Sequence, residues 1–575
     1  MYIRRPRRLP AELLARADVI VTRLSATPGP AHRRPRRVVW PILAGVAALV
    51  VIAVIVVVIA GGGTSVTSSK PAALPPIYPS RAGPEAMFTS GSVATDTPAA
   101  LDTLKALGIN RVHVYMHWAD IAPDPASKTE PAFDATDPGA YPPGGWAPYD
   151  ALDRNLAARH LGSDLDLVPP PPRWAEGKGA PDPKTQPEWN PSAAEFGQFV
   201  HAVGVRYSGH YTPPGASTPL PRVAFWSIWN EPNIGIQLAP EAIDNHQVEV
   251  SPRYYRAIVD AAWQAFGATG HGHDTILIGE MAPAGGTQPG AEPGNFNSMP
   301  PLRYLRALYC VDAAYQPLRG SAATLRGCPA TAAGSASFAA ANPGLFHASG
   351  FADHPYPQGL PPNEATPNEP DFAELAAIGK LQQVLDRMQR LYGSSTQFPI
   401  WSTEFGYQTA PPDPEAGTVT PAKAAYYLNW AEYLTWLDPR LRSFDQYLLN
   451  DPPNGYFAFG LLTAAGAPKP GYYAFQLPLF LPVTATAARH PLDVWGCVRP
   501  APGAQRRTHT TQFAQIQYSS GQGGAFRTVS RVPITGPHGY FEVRHTFPGS
   551  GEVRLAWTPR HGPTQFSRTV DITLR

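Results

Sequence analysis

Eight short strand-like runs recur along this chain, each parted from the next by a stretch of helical spacing. That alternation restricts the fold more than any other feature. The runs are residues 86–90, 111–118, 164–169, 222–229, 275–280, 350–354, 399–404 and 443–449. Between them, residues 98–107 carry Leu101, Leu104 and Leu107 three apart and meet Gly108, a helix stop. Residues 192–207 open with Ser192 and Glu195 as a capping box and set Phe196, Phe199, Val200 and Val203 on one face. Residues 252–266, 372–391 and 421–437 read the same way. Eight strand–helix repeats predict an α/β fold, a (β/α)8 TIM barrel of parallel strands over residues 81–480, against the alternative of an open doubly wound sheet.

The flanks differ. Residues 485–575 lose helical periodicity and alternate in runs such as 539–545 and 551–557, split by Gly and Pro, which predicts an antiparallel β-sandwich accessory domain. A short connection around Pro468 and Tyr473 leads into it and suggests that it braces the barrel, with carbohydrate binding as the alternative. At the other end, residues 1–37 are a basic segment with ten Arg against Glu12 and Asp18. Residues 38–60 carry no charge and are long enough to cross a bilayer, with Arg33, Arg34, Arg36 and Arg37 just before them. The expectation is a transmembrane signal anchor with a cytoplasmic N-terminus, residues 61–80 as a flexible stalk, and an extracellular remainder at the cell membrane; a cleaved signal peptide is the rival. Outside the basic segment the chain is mildly acidic, so a nucleic-acid partner is not expected. Of three cysteines, Cys310 and Cys328 lie 18 positions apart in a loop-like stretch and suit a disulfide, which leaves Cys497 as a buried thiol, with its pairing to either of the others as the alternative. Their spacing fits no zinc motif.

Two of the strand patterns end in a glutamate. Phe225-Trp226-Ser227-Ile228-Trp229-Asn230-Glu231-Pro232-Asn233 ends the fourth, and Pro399-Ile400-Trp401-Ser402-Thr403-Glu404-Phe405-Gly406 the seventh. In a parallel barrel, the C-terminal strand ends form one functional face. Two carboxylates facing each other there can protonate a leaving oxygen and attack an anomeric carbon, which is what cleavage of a sugar acetal needs. Asn230 is placed to bond a sugar hydroxyl, Pro232 forces a turn after the first glutamate, and Gly406 permits a tight turn after the second.

These two segments resemble the acid/base and nucleophile strands of the clan A retaining glycoside hydrolases, which include the cellulase-like family 5 and the β-xylosidase-like family 39. The likeness covers about residues 82–480. It implies Glu231 as general acid/base, Glu404 as nucleophile, a carbohydrate substrate and no cofactor or metal. Phe351-Ala352-Asp353-His354-Pro355-Tyr356 is similar to the sixth-strand segment of such enzymes and implies that His354 and Tyr356 touch the nucleophile and the bound sugar. One departure stands out: where those enzymes often carry an Arg on strand two, this chain has His113 in a row with Arg111, Tyr115 and His117 on one strand face. Either Arg111 serves instead, or His113 does, or the site is tuned differently.

Further candidates follow from position. Glu280 ends the fifth strand and is a rival third carboxylate, expected rather to line the cleft or bind substrate; Asp445 and Gln446 near the eighth are candidates for hydroxyl contacts. Trp118, Trp146, Trp174, Trp189 and Trp401 are candidate sugar platforms, of which one or two are expected to serve. His271-Gly272-His273-Asp274 sits where a helix-to-strand turn belongs and reads as a solvated turn rather than a metal site. The functional expectation is a membrane-anchored extracellular glycoside hydrolase. A catalytically silent carbohydrate-binding or cell-wall protein on the same barrel, and a transglycosylase, are the alternatives.

Overall fold

The computed structural model describes residues 82–179, 188–244, 247–286, 297–521 and 523–575. The expected basic segment, membrane anchor and stalk lie outside them. Among the described residues no helix is long and apolar enough to cross a membrane.

Each expected strand forms. They are β1 (Glu85–Thr89), β2 (Arg111–His117), β3 (Gly162–Val168), β4 (Phe225–Ile228), β5 (Thr275–Met281), β6 (Gly350–Asp353), β7 (Ile400–Ser402) and β8 (Ser443–Phe444). All pair in parallel in the order β8-β1-β2-β3-β4-β5-β6-β7. The last gap is closed by a bridge between Ile400 and Leu441, so the sheet is a barrel and not an open sheet. The helices outside follow the sequence signals. Pro98–Leu107 ends at Gly108 with φ 85°, where a left-handed cap suits glycine, and buries Leu101, Leu104 and Leu107. Ala193–Arg206 is capped by the Ser192 hydroxyl, which accepts from the Glu195 amide, and buries Phe196, Phe199, Val200 and Val203. One apolar core lies between this ring of helices and the strands.

The C-terminal region holds two sheets around a core of its own, built on Leu479, Val494, Ile516, Val553, Leu555 and Ile572. Strand pairing is antiparallel apart from an edge pair, Ala485–Thr486 beside Val570–Leu574. A helix, Ala501–Thr508, departs from the all-β expectation. It buries only Ala501 and Ala504, and two small side chains leave no helical period to read. Cys310 and Cys328 are bonded, and Cys497 is a free, buried thiol. Closing a loop of this length stabilises by about 3 kcal/mol in the chain-entropy model.

A dry seam joins the second core to the barrel. Trp495 and Tyr540 pack against Tyr433 and Trp436 of the helix Pro421–Leu437. Inside it, Arg499 Nη2 lies 2.5 Å from Glu432 Oε1, and the Tyr540 hydroxyl donates to the same oxygen at 2.7 Å. Both charged side chains are 1% exposed. Removing one partner of such a pair strands the other without water. Arg499→Met is therefore expected to lower unfolding free energy by about 3–5 kcal/mol, read by urea denaturation. Adding Glu432→Gln should restore part of that loss. A single-variant loss below about 1 kcal/mol would mean that the pair does not hold the seam.

Candidate active site

The inward row of β2 climbs the barrel. Arg111, at the foot, pairs with Glu85 at 3.2 Å and lies over the Phe225 ring, 4.0 Å from its centroid. Phe225 meets Trp401 edge-on at 4.8 Å, with Leu277 and Ala352 alongside. This is an apolar floor at the end of the barrel away from the two glutamates. Arg111 and Trp401 therefore have structural places, and neither reaches the expected cleft.

One step up, His113 is fully buried; its Nε2 lies 3.7 Å from Asp166 and 4.0 Å from Glu280. Burial alone would lower its pKa, but Asp166, Glu280 and Asp164 raise it to about 10. His113 supports the layer beneath the site and does not face substrate, which corrects its expected role. In the same layer, burial first and then Glu280 push Asp164 and Asp166 up to about 7, with Asp166 adding to the rise at Asp164, against the pull of His113.

The glutamate of β4 is aimed by strained backbone. Trp229 has φ 65° and Glu231 φ 42°, both in the left-handed region that costs side-chain-bearing residues energy. The surroundings hold this shape: the Glu231 amide donates to Glu280 O at 2.9 Å, and the Trp229 indole N–H to Gln237 O at 3.1 Å. Asn233 ties the following turn to β5, bonding Ala282 N and O at 2.9 and 3.1 Å. On β5 the register slips between Ile278 and Met281, with Gly279 at φ 115° and Glu280 at φ 45°. A Cβ on Gly279 would lie 2.4 Å from Ala352 O, so glycine is required there. The bulge turns Glu280 into the barrel.

Four side chains meet at the mouth. His354 Nδ1 lies 3.0 Å from Glu231 Oε1 and 3.6 Å from Glu404 Oε2, while its Nε2 lies 2.9 Å from Glu280 Oε2. Ring nitrogens facing carboxylates on both sides call for the doubly protonated imidazole. Burial opposes that charge, but Glu404, Glu231 and Glu280 outweigh it and hold the His354 pKa well above its ordinary value. One oxygen each of Glu231 and Glu404 and the His354 nitrogen lie within 4.8 Å of one another. Glu404 Oε2 accepts from the Tyr356 hydroxyl at 2.8 Å, and Oε1 accepts from the Tyr115 hydroxyl. Burial raises the Glu404 pKa, as does the Glu231 charge; His354 and the Tyr115 hydroxyl oppose them without cancelling the rise. Glu280 goes the other way, because His354 and His113 overcome its burial.

The structure thus brings together Glu231, Glu404, His354 and Tyr356, with Asn230 beside them on the strained turn. Other expectations need correction. Glu280 is fully buried beneath His354 and takes a 2.5 Å bond from the Thr403 hydroxyl, so it orients the histidine and does not line the cleft. Gln446 is 1% exposed and donates its amide to Tyr447 O and Phe459 O, which fixes the loop after β8. Asp445 is buried and accepts from Thr89. Trp118 is fully buried, stacked on Phe199 at 5.7 Å and edge-on to Trp174 and Phe196; a core tryptophan offers no face to sugar. Trp146 and Trp174 are buried too. Trp189 keeps partial exposure and donates its indole N–H to Lys178 O. His271 is buried and bonds Asp274 at 2.6 Å and Gly204 O at 2.9 Å, while Gly272 and His273 are exposed, so the turn is solvated apart from the His271 ring.

Sequence reading missed three aromatics. Tyr115 bonds Glu404, and Tyr447 and Phe459 wall the same side, with ring centroids 6.3 and 5.4 Å from Tyr356. Alternation along β2 placed Tyr115 on the correct face, but the charged His113 drew attention to the wrong step of the row. Tyr447 and Phe459 sit in the loops after β8, where no periodicity operates.

Two clusters have donor atoms close enough to share an ion: His113–Asp164–Glu280 and Glu231–His354–Glu404. In each the imidazole is surrounded by carboxylates that favour its protonated form, and a protonated imidazole donates instead of coordinating. Both clusters fit hydrogen-bonded charge networks better than metal centres.

No protein-family model matches this chain, and no curated protein matches it. Solved structures with a similar course include a glucosidase from Croceicoccus marinus, 12% identical over 82% of this chain and 94% of that one, with a TM-score of 0.43. The β-glycosidase of Thermosphaera aggregans is 14% identical over 66% and 83%, with a TM-score of 0.39. A broad-specificity endoglucanase from Clostridium acetobutylicum is 11% identical over 66% and 91%, with a TM-score of 0.37. At such scores the functional case stands on the geometry of the site itself.

The buried layer gives stability a definite sign with pH. Asp164 and Asp166 bind protons more tightly folded than unfolded, so stability falls as pH rises from about 4 to 7. The contribution of His113 is complete below its ordinary pKa of 6.5 and is lost as pH climbs to about 10. Melting temperature is therefore expected to be higher near about pH 5.5 than near about pH 9, with a shallower fall above about pH 6.5 in His113→Gln. A wild-type melting temperature that rises over this range would refute the layer's assignment.

Proposed function

We propose that this chain is a glycoside hydrolase acting by double displacement, with Glu231 as general acid/base and Glu404 as nucleophile. The observation that carries the reading is the approach of the two carboxylates at the barrel mouth, with oxygens within 4.8 Å. Retaining sites hold their carboxyl groups about 5–5.5 Å apart, whereas inverting sites need about 6.5–9.5 Å to admit a water.

The division of roles follows from surroundings. Glu404 accepts from a phenol on each oxygen and is 7% exposed at its side chain, which suits an ionised nucleophile held in one plane. Glu231 is 18% exposed and bonded only on its His354 side, which leaves an oxygen to reach a leaving group. Glu404 attacks the anomeric carbon while Glu231 protonates the departing oxygen; Glu231 then takes a proton from the water that releases the sugar. The Asn230 carboxamide oxygen is buried without a partner in the protein, which suits a contact to a sugar hydroxyl. The silent-binder alternative drew on the missing arginine of strand two, and Tyr115 supplies a direct donor from that strand. Anchorage through residues 38–60, with the barrel outside the cell, completes the proposal and rests on the sequence pattern alone.

Glu404→Gln is expected to abolish turnover of a panel of aryl glycosides. Glu231→Gln should lower kcat/KM by about 10²–10⁴-fold on substrates with poor leaving groups and far less on dinitrophenyl glycosides, whose departure needs no proton. The first-formed sugar should keep the anomeric configuration of the substrate, as read by proton NMR. Near-normal rates in both variants would reject the assignment, and an inverted product would reject double displacement.

A further inference from the structure

Glu404 changes charge twice in each turnover on the reading above, and the inference here rests on that reading. We propose that Tyr115 is a positioning residue for the second half of the reaction, where its hydroxyl makes Glu404 a competent leaving group. Tyr115 is the third inward residue of β2, with its ring set edge-on to His113 at 5.1 Å. Its hydroxyl donates to Glu404 Oε1, and the Tyr356 hydroxyl donates to Oε2. Among the described residues no Lys or Arg pairs with Glu404. The cation that does, His354, stands 3.6 Å away and directs its shorter bonds to Glu231 and Glu280. Neutral phenols therefore do what a guanidinium does in a site with a fixed positive charge.

The consequence differs between the two steps. In the first, a Glu404 oxygen bonds to the anomeric carbon, the bond to the leaving oxygen breaks, and that oxygen takes the Glu231 proton. Glu404 becomes an uncharged ester, so the phenol bonds lose their charge assistance. In the second, water oxygen bonds to the anomeric carbon and gives a proton to Glu231. The bond to Glu404 breaks, and its electron pair returns to the carboxylate. Negative charge grows on Glu404 as the Tyr115 O–H strengthens its bond there. Without the donor, attack begins from a more basic carboxylate, which offsets part of the damage; departure has no such offset.

The test separates the steps. Dinitrophenyl 2-deoxy-2-fluoroglycosides of the sugars that wild-type protein hydrolyses trap the glycosyl-enzyme, and regain of activity then reports departure alone. Tyr115→Phe is expected to slow reactivation roughly 10- to 100-fold while trapping changes by less than about threefold. With the unfluorinated dinitrophenyl glycoside, kcat and KM should fall together, with a burst of dinitrophenol and the adduct visible in the intact mass. Equal slowing of both steps, or unchanged reactivation, overturns the proposal. Should Tyr115→Phe fail to fold, 3,5-difluorotyrosine at position 115 keeps the ring and sharpens the donor; it should speed reactivation relative to trapping, and an unchanged ratio overturns the proposal. Wild-type protein that no probe labels at Glu404 overturns the double-displacement reading and this proposal with it, whereas labelled wild type with an unaltered step ratio in the variant overturns only the proposal.

Discussion

Three glutamates reach one imidazole ring at the barrel mouth, and the site depends on how their charges are held together. Two carboxylates with oxygens within 4.8 Å of each other repel by about 3 kcal/mol or more at an effective dielectric of about 20. His354 enters from β6 between them and is itself held on its far side by Glu280. Glu280 is therefore as much a part of the arrangement as the two glutamates that face the cleft. It keeps the ring charged and fixes its plane, and the Thr403 hydroxyl beside Glu404 keeps Glu280 in place. The chain of contacts runs β4, β6, β5, β7, so each barrel strand that bears a functional group is tied to the others through side chains as well as through the sheet.

This arrangement explains where backbone strain is stored. Trp229, Glu231 and Glu280 all occupy left-handed conformations, and all belong to the two strand ends that carry the acid/base candidate and the anchor of His354. A regular strand end would point alternate residues to the core and leave these carboxylates out of reach of the ring. The strain is offset by bonds that leave the turn no freedom: Glu231 N to Glu280 O, Asn233 to Ala282, and the Gly279 amide to the Tyr255 hydroxyl oxygen at 2.7 Å. Below, the barrel interior changes character by layers, from charged carboxylates around His113 to the aromatic floor of Phe225 and Trp401. The floor closes the lower layer from below; burial there raises the two aspartates, while the carboxylates around His113 raise its pKa against burial.

Much of this was legible. Helical and strand periods located all eight barrel strands to within a few residues, because a strand packed under a helix must be apolar and its turns must carry Gly, Pro or a cap. The glutamates of β4 and β7 were legible because each follows an apolar run directly. What resisted reading was depth. Glu280 and Gln446 also stand at strand ends, yet one lies under a histidine and the other against a loop, and nothing in the local pattern separates a rim residue from one a layer down. The tryptophans failed for a related reason: Trp118 is the right side chain at the right strand end, but the strand turns into a helix there and carries the ring into the core. Tyr115 was hidden by its neighbours, since three basic residues share its strand face and a phenol is not the expected donor to a carboxylate.

The C-terminal region bears on the site through the weakest part of the barrel. Strands β7 and β8 are three and two residues long, and between them the sheet closes by one bridge at Ile400 and Leu441. Glu404 follows directly on β7, so looseness at this closure would move the nucleophile candidate first. The helix Pro421–Leu437 spans the closure, and its outer side carries Glu432, Tyr433 and Trp436 into the seam with the second core. Arg499 and Tyr540 hold that helix by a buried charge and a hydroxyl, while Arg568 reaches Asn429 of the same helix at 2.8 Å. The seam thus bears on the closure that the hydrogen-bonded sheet leaves thin.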